Sequence, residues 1–242
     1  MIVFWRMLLV LLLTDFVFQP KNFYIWKARS WVGQMAHLAI FFTLAVLLTR
    51  DYLHLVWFNW FGLNLTGIPT ILFFSLLHLC MDKLFYSSCI SNEYCGIKKD
   101  IPVMYKFLWH ELFVLMAIFV MSPHIEITQG HNMFPEWWVI ALVGLIFVSQ
   151  AVNMLIATYE TKWFQSVTFT DYNYITALQR VVFYGLCLLP GYSWILFIIV
   201  WFWLCYYFSK TKVLDISKVN LYLGSALSVV TGLLVRAVIY YL

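Results

Sequence analysis

The sequence predicts an all-α protein: a polytopic bundle of about eight transmembrane helices with both termini on the outer side. Three observations carry this. Apolar residues make up 64% of the 242-residue chain and charged residues only 11%, where a soluble domain has about 25% charged residues; mean hydropathy is +0.85. Apolar stretches of about 20 residues, the length that crosses about 30 Å of hydrocarbon, recur along the whole chain. Basic residues gather in alternate connections between those stretches. A soluble fold cannot cover so much apolar surface. The composition excludes a cytosolic enzyme, a disordered chain and a disulfide scaffold.

The spans follow in order. Ile2–Phe18 is apolar apart from Arg6 and Thr14 until Asp15 and ends before Gln19; it has no small-residue cleavage site, so it reads as a helix rather than a signal peptide. Trp31–Leu48 carries His37. Gly67–Phe85 carries His78 and Asp82 in its last two turns. Met104–Met121 carries His110 and Glu111. Trp137–Tyr159 holds Gln150 and Asn153, and Asn173–Leu189 holds Arg180. Ser193–Phe208 and Leu221–Leu242 complete the set, and the aromatic wealth of these later spans reads as lipid-facing packing. The connections are short, the longest being Tyr86–Val103, so residues 1–242 read as one integral-membrane domain in the bilayer.

Orientation comes from the basic residues. The odd-numbered connections and the span ends beside them hold Lys21, Lys27, Arg29, Lys83, Lys98, Lys99, Lys106, Lys162, Lys210, Lys212 and Lys218; the other side holds Arg50 alone. The odd connections are therefore expected in the cytoplasm. Trp57, Trp60, Trp137 and Trp138 then mark the outer interface, and Trp26, Trp31 and Trp163 the inner one. Arg6 and Arg236 lie toward the outer ends of their spans and read as snorkelling side chains. The net charge of +4 is too small and too dispersed for a nucleic-acid partner. Five cysteines, an odd number without a framework, read as ordinary thiols.

On that frame Asp15, His37, His78, Asp82, His110, Glu111 and Arg180 fall at one depth, roughly 5–12 Å from the cytoplasmic boundary at a rise of about 1.5 Å per residue. Charged groups in hydrocarbon face a partner or a water-filled cavity. His78 and Asp82 are spaced i, i+4 and share one helical face, a pairing that can hold a divalent metal from one side. Asp15, His37 and His110 would complete the shell, with zinc the best match to imidazole and carboxylate. There is also a hint of a parallel repeat: the first and third spans each end in an aspartate followed by a lysine, and the second and fourth each carry a histidine early.

At these residues the chain resembles a bacterial inner-membrane family, domain of unknown function 3307. The resemblance rests on Asp15-Phe16-Val17-Phe18-Gln19 with Lys21, on His37, and on His78-Leu79-Cys80-Met81-Asp82-Lys83. It extends to Ile175-Thr176-Ala177-Leu178-Gln179-Arg180 and Tyr222-Leu223-Gly224-Ser225-Ala226-Leu227-Ser228-Val229. Leu11 and Gln179 stand where many members have histidine and glutamate, and His110-Glu111-Leu112-Phe113-Val114 replaces their Asp-Gln-x-x-His. The resemblance implies a multi-pass protein of the bacterial inner membrane. The H-x3-D pattern is also similar to that of membrane-bound metal-dependent hydrolases induced with the DNA-damage response.

Three classes of function are consistent with these residues. As a metal-dependent hydrolase, the protein would hold the ion with His78, Asp82 and one or two of Asp15, His37 and His110, use Glu111 as general base, and hold a lipid phosphate or other anionic substrate with Arg180. As a transport or solute-binding component, it would use the same cluster without metal. As an interaction protein, it would use the polar network only to order the bundle, acting through a membrane partner or copies of itself.

Overall fold

A computed structural model of the chain describes residues 2–20, 23, 26–27, 29–60, 63–94, 112–118, 136–153, 155–156, 174–213 and 217–241. The architecture is mostly helical. Among the described residues, four helices are long and apolar enough to cross a membrane: Trp31–Tyr52, Gly67–Leu84, Ser193–Lys210 and Asn220–Tyr240. The chain divides into two compact units, Met1–Val139 and Ile140–Leu242.

The first unit is built around α1 (Ile2–Leu12), which continues as a π-helical turn through Leu13–Val17. Val3, Phe4, Met7, Leu9, Val10 and Leu11 are all buried, so α1 is covered on nearly every side and serves as the post of this unit. Against it pack α2 (Trp31–Thr49) and α3 (Gly67–Tyr94). Phe41 and Ala45 of α2, Ile71 and Phe74 of α3, and Val114 and Ile118 of the helical segment 112–118 complete the core. In α3 the buried stripe is Ile71, Ser75, His78 and Asp82, whereas Ile68, Leu72 and Leu76 are exposed. An apolar outer stripe with polar groups turned inward is what a hydrocarbon solvent selects. The hydroxyls obey the same constraint: Thr14, Thr49, Thr70 and Ser75 each donate to the carbonyl four residues earlier.

Between α2 and α3 the all-helical expectation gives way to a hairpin, β1 (Val56–Trp60) paired antiparallel with β2 (Leu63–Thr66). β-Branched and aromatic residues suit a strand, and a two-residue connection suits a hairpin. Trp57, expected at the lipid interface, is instead buried, with its indole N–H donating to the Tyr52 carbonyl at 2.8 Å. Arg6 is likewise more than a snorkelling side chain. Its guanidinium donates to both carboxylate oxygens of Glu136, at 2.6 and 3.1 Å, and to the Leu48 carbonyl at 2.6 Å near the end of α2.

The second unit comprises α4 (Trp137–Ile146, its residues from Ile140 onward), a π-turn at Phe147–Ala151, α5 (Tyr174–Cys187), α6 (Ser193–Lys210), a π-turn at Asn220–Gly224, and α7 (Ser225–Tyr241). The helix α5 is its hub, packing on α6, α7 and the turn after α4. Gly232 permits a close approach of α7 to α5, because a Cβ there would lie 2.6 Å from Cys187 Cβ. Arg236 crosses from α7 to cap α5, donating to the carbonyls of Cys187 at 3.0 Å, Gly191 at 2.8 Å and also Leu189. A cation at a helix C-terminus satisfies orphan carbonyls and opposes the helix dipole. Both span-end arginines thus serve as helix caps. Cys187 and Cys205 are buried free thiols and Cys80 an exposed one.

Candidate metal centre

Each ligand-type side chain of the first unit is aimed by a local feature of the sequence. Asp15 sits in the π-turn Leu13–Val17, where the extra residue per turn re-aims a side chain, as π-bulges at functional sites do. His37 projects from the second turn of α2, whose start is fixed by Ser30: its hydroxyl accepts the Gly33 N–H at 2.9 Å. His78 and Asp82 lie on the buried stripe of α3. Phe41 stacks on the His78 ring, with centroids 5.0 Å apart and planes at 15°.

These four side chains meet. His37 Nε2 is 3.1 Å from Asp15 Oδ1, 3.1 Å from His78 Nε2 and 3.5 Å from Asp82 Oδ2. His78 Nε2 is 3.6 Å from Asp15 Oδ1 and 3.8 Å from Asp82 Oδ2. Ligand atoms of Asp15, His37 and His78 all lie within 4.8 Å of one another. Zinc–ligand bonds of about 2.0–2.2 Å imply tetrahedral edges of about 3.3–3.6 Å; the His78–Asp15 edge lies at the top of that range, and the two 3.1 Å edges from His37 fall slightly short of it. The crowding at one atom fits a shared ion: three potential ligands surround His37 Nε2. One N–H cannot serve three neighbours; lone pairs converging on one point can.

No known family model, curated protein or solved structure matches this chain.

The cluster contains one member that the sequence did not single out. Lys27 is 1% exposed, and its ammonium lies 2.8 Å from Asp82 Oδ2 and 4.0 Å from Asp15 Oδ1. In the sequence it counts as one more basic residue of a connection. The signal that could have found it is the pair Ser30 and Gly33: a cap, and a residue without a side chain three positions on. A Cβ on Gly33 would lie 2.8 Å from Lys27 N and from the Trp26 carbonyl carbon and oxygen. Only glycine lets the short helical segment at 26–27 lie against α2 and deliver its lysine inward. On the same helices Lys83 stands over the exposed Trp31 ring at 4.1 Å.

His110 and Glu111 lie outside the described residues. Arg180 belongs to the second unit, where it is 1% exposed. Its Nη2 donates to Asn153 Oδ1 at 2.7 Å and to Asn220 Oδ1 at 2.6 Å, and Gln179 beside it donates to Ser225 Oγ at 3.0 Å. Asn220 opens one π-turn and Asn153 follows another. Among the described residues every π-turn thus stands at or beside a buried polar group. Gly224 leaves the space that the guanidinium needs, since a Cβ there would be 3.2 Å from Arg180 Nε.

Proposed function

We propose that this chain is an integral membrane metalloprotein whose Asp15, His37 and His78 hold one divalent ion for hydrolysis of a lipid or other anionic substrate. The observation that carries the reading is the convergence of ligand atoms on His37 Nε2 at 3.1–3.5 Å. Two imidazoles and a carboxylate suit zinc best. When bound, such an ion supplies a Lewis acid and a more acidic water. The protein's own residues hold the ring orientations, exclude lipid and bulk water, and place the Lys27 ammonium beside the ligands. Glu111 is the proposed general base on sequence grounds. The ordered motifs that resemble domain of unknown function 3307 are the support for placing the chain beside that family.

The decisive measurement is elemental analysis of protein purified in detergent without chelators. About one zinc or other divalent ion per chain is expected, together with a melting temperature that rises on adding zinc, because a ligand of the folded state alone stabilises it. A metal-free protein whose melting temperature ignores zinc and manganese would overturn the reading. A second reading, a proton relay or solute-binding site, draws on the contacts from Lys27 through Asp82 to the His37–His78 pair. Metal-loaded protein in phosphatidylglycerol vesicles that cleaves no lipid would favour it.

The proposed topology has about eight crossings with both termini outside, on the strength of the one-sided basic count. His54 and Lys212 are both exposed and fall in connections of opposite side. In a cysteine-free background, a membrane-impermeant maleimide applied outside intact cells should label His54→Cys and spare Lys212→Cys. The reverse pattern would invert the topology.

A further inference from the structure

We infer that the outward face of α3 is a docking site for one anionic phospholipid, whose phosphate is taken by the Lys83 ammonium where it rests on the Trp31 ring. Two adjacent residues of α3 meet opposite fates. Asp82 turns into the core, 2.8 Å from Lys27 Nζ, so its charge is matched inside the protein. Lys83 turns outward and is exposed. Among the described residues its ammonium is placed by the Trp31 ring, whose centroid lies 4.1 Å away. Trp31, the first residue of α2, is itself 54% exposed, and Arg29, two residues before it, is exposed too.

A tryptophan ring attracts an ammonium to its face and sits at headgroup level in a bilayer, so the pair fixes a positive charge where hydrocarbon meets water. An ammonium has three donors. The ring engages one side of it, and a phosphate oxygen is the partner that a lipid surface offers to the rest. From the pair runs the apolar track that the chains of such a lipid need. Ile68, Leu72, Leu76, Cys80 and Leu84 recur every four residues along α3 and all are exposed, which puts them on one face. From Leu72 to Leu84 the track is about 18 Å long, at a rise of about 1.5 Å per residue. One leaflet of a hydrocarbon core about 30 Å thick takes up roughly 15 Å of it. Charge then selects the headgroup: a zwitterionic lipid brings an ammonium of its own, which Lys83 and Arg29 repel, whereas an anionic lipid brings only the phosphate that they attract. This surface is separate from the buried cluster and requires no bound metal.

Photo-crosslinking of the full chain tests this. The protein is reconstituted in phosphatidylcholine vesicles doped with a phosphatidylglycerol whose acyl chain carries a diazirine, and the adducts are mapped by peptide mass spectrometry. Adducts should fall on the peptide that carries Leu76, Cys80 and Leu84. Unlabelled phosphatidylglycerol should displace them about fivefold more effectively than an equal amount of phosphatidylcholine, the weight of one lysine at a lipid surface. Lys83→Gln should remove most of that preference and Lys83→Arg should keep it. Lys212→Gln, the same loss of charge in the second unit, should leave it intact. Equal displacement by the two lipids in the wild type would overturn the inference without recourse to any variant, leaving the track an ordinary lipid-facing surface. A preference lost as fully in Lys212→Gln as in Lys83→Gln would also overturn it, assigning the selectivity to the overall charge of the protein.

Discussion

Lys27→Met should lower the stability of the metal-free protein by about 3–5 kcal/mol, the cost of stripping one partner from a buried ion pair. Lys27 is 1% exposed and answers two buried carboxylates, Asp82 at 2.8 Å and Asp15 at 4.0 Å. Methionine keeps the length and apolar stem of the side chain, so packing is nearly conserved and the loss is electrostatic. For a chain of this size the apparent melting temperature in detergent should fall by roughly 6–20 °C. Adding Asp82→Asn in the same chain should recover much of the deficit, because it removes the charge that the lysine no longer meets. Bound zinc should narrow the deficit too, by supplying positive charge at the same place. An unchanged melting temperature in metal-free Lys27→Met would show that the pair is not buried as described.

The second large effect is expected at a residue that touches no ligand. Gly33→Val places a Cβ 2.8 Å from the backbone of Lys27 and Trp26, and backbone cannot move aside as a flexible side chain can. Overpacking of this kind costs about 1–3 kcal/mol, and it is relieved by lifting the 26–27 segment away from α2. Lys27 should then leave Asp82. In the wild type its ammonium should resist acetylation by an amine-reactive reagent while Lys83, which is exposed, reacts. In Gly33→Val, peptide mass spectrometry should find both modified. Continued protection of Lys27 would show that the segment is held by something other than its fit to Gly33.

Much of this was legible in the sequence, and what escaped did so for physical reasons. Hydropathy located α1, α2 and the start of α3 closely, because spans must be continuous and apolar, whereas α3 runs on to Tyr94 through polar residues expected in the connection after Phe85. The i, i+4 spacing put His78 and Asp82 on one face, and the depth count brought Asp15 and His37 to the same level. Depth alone says nothing about azimuth, however. It could not show that Asp15 reaches both imidazoles, nor find the Asn153 and Asn220 oxygens that Arg180 bonds within the second unit. Lys27 escaped because a lysine next to a span is ordinarily a topogenic charge, and its inward path depends on a missing side chain six residues later. The hairpin at Val56–Thr66 escaped because the aromatic residues that favour strands also favour membrane interfaces. Arg6 and Arg236 escaped as caps because a cap depends on the carbonyls of a different helix, which periodicity within one segment does not reveal.

The central place of α1 has a consequence for biogenesis. The groups that satisfy its charged residues all come later in the chain: Lys27 and His37 for Asp15, and the Leu48 carbonyl, Asp51 and, 130 positions downstream, Glu136 for Arg6. A nascent chain halted before Glu136 holds a buried guanidinium whose remaining carboxylate, Asp51, lies at 3.6 Å in place of the close two-point contact with Glu136, a costly state in lipid. The first unit therefore closes in reverse. The helix α1 becomes fully neutralised only when synthesis has passed Glu136, and until then the post around which the unit is built is not secure.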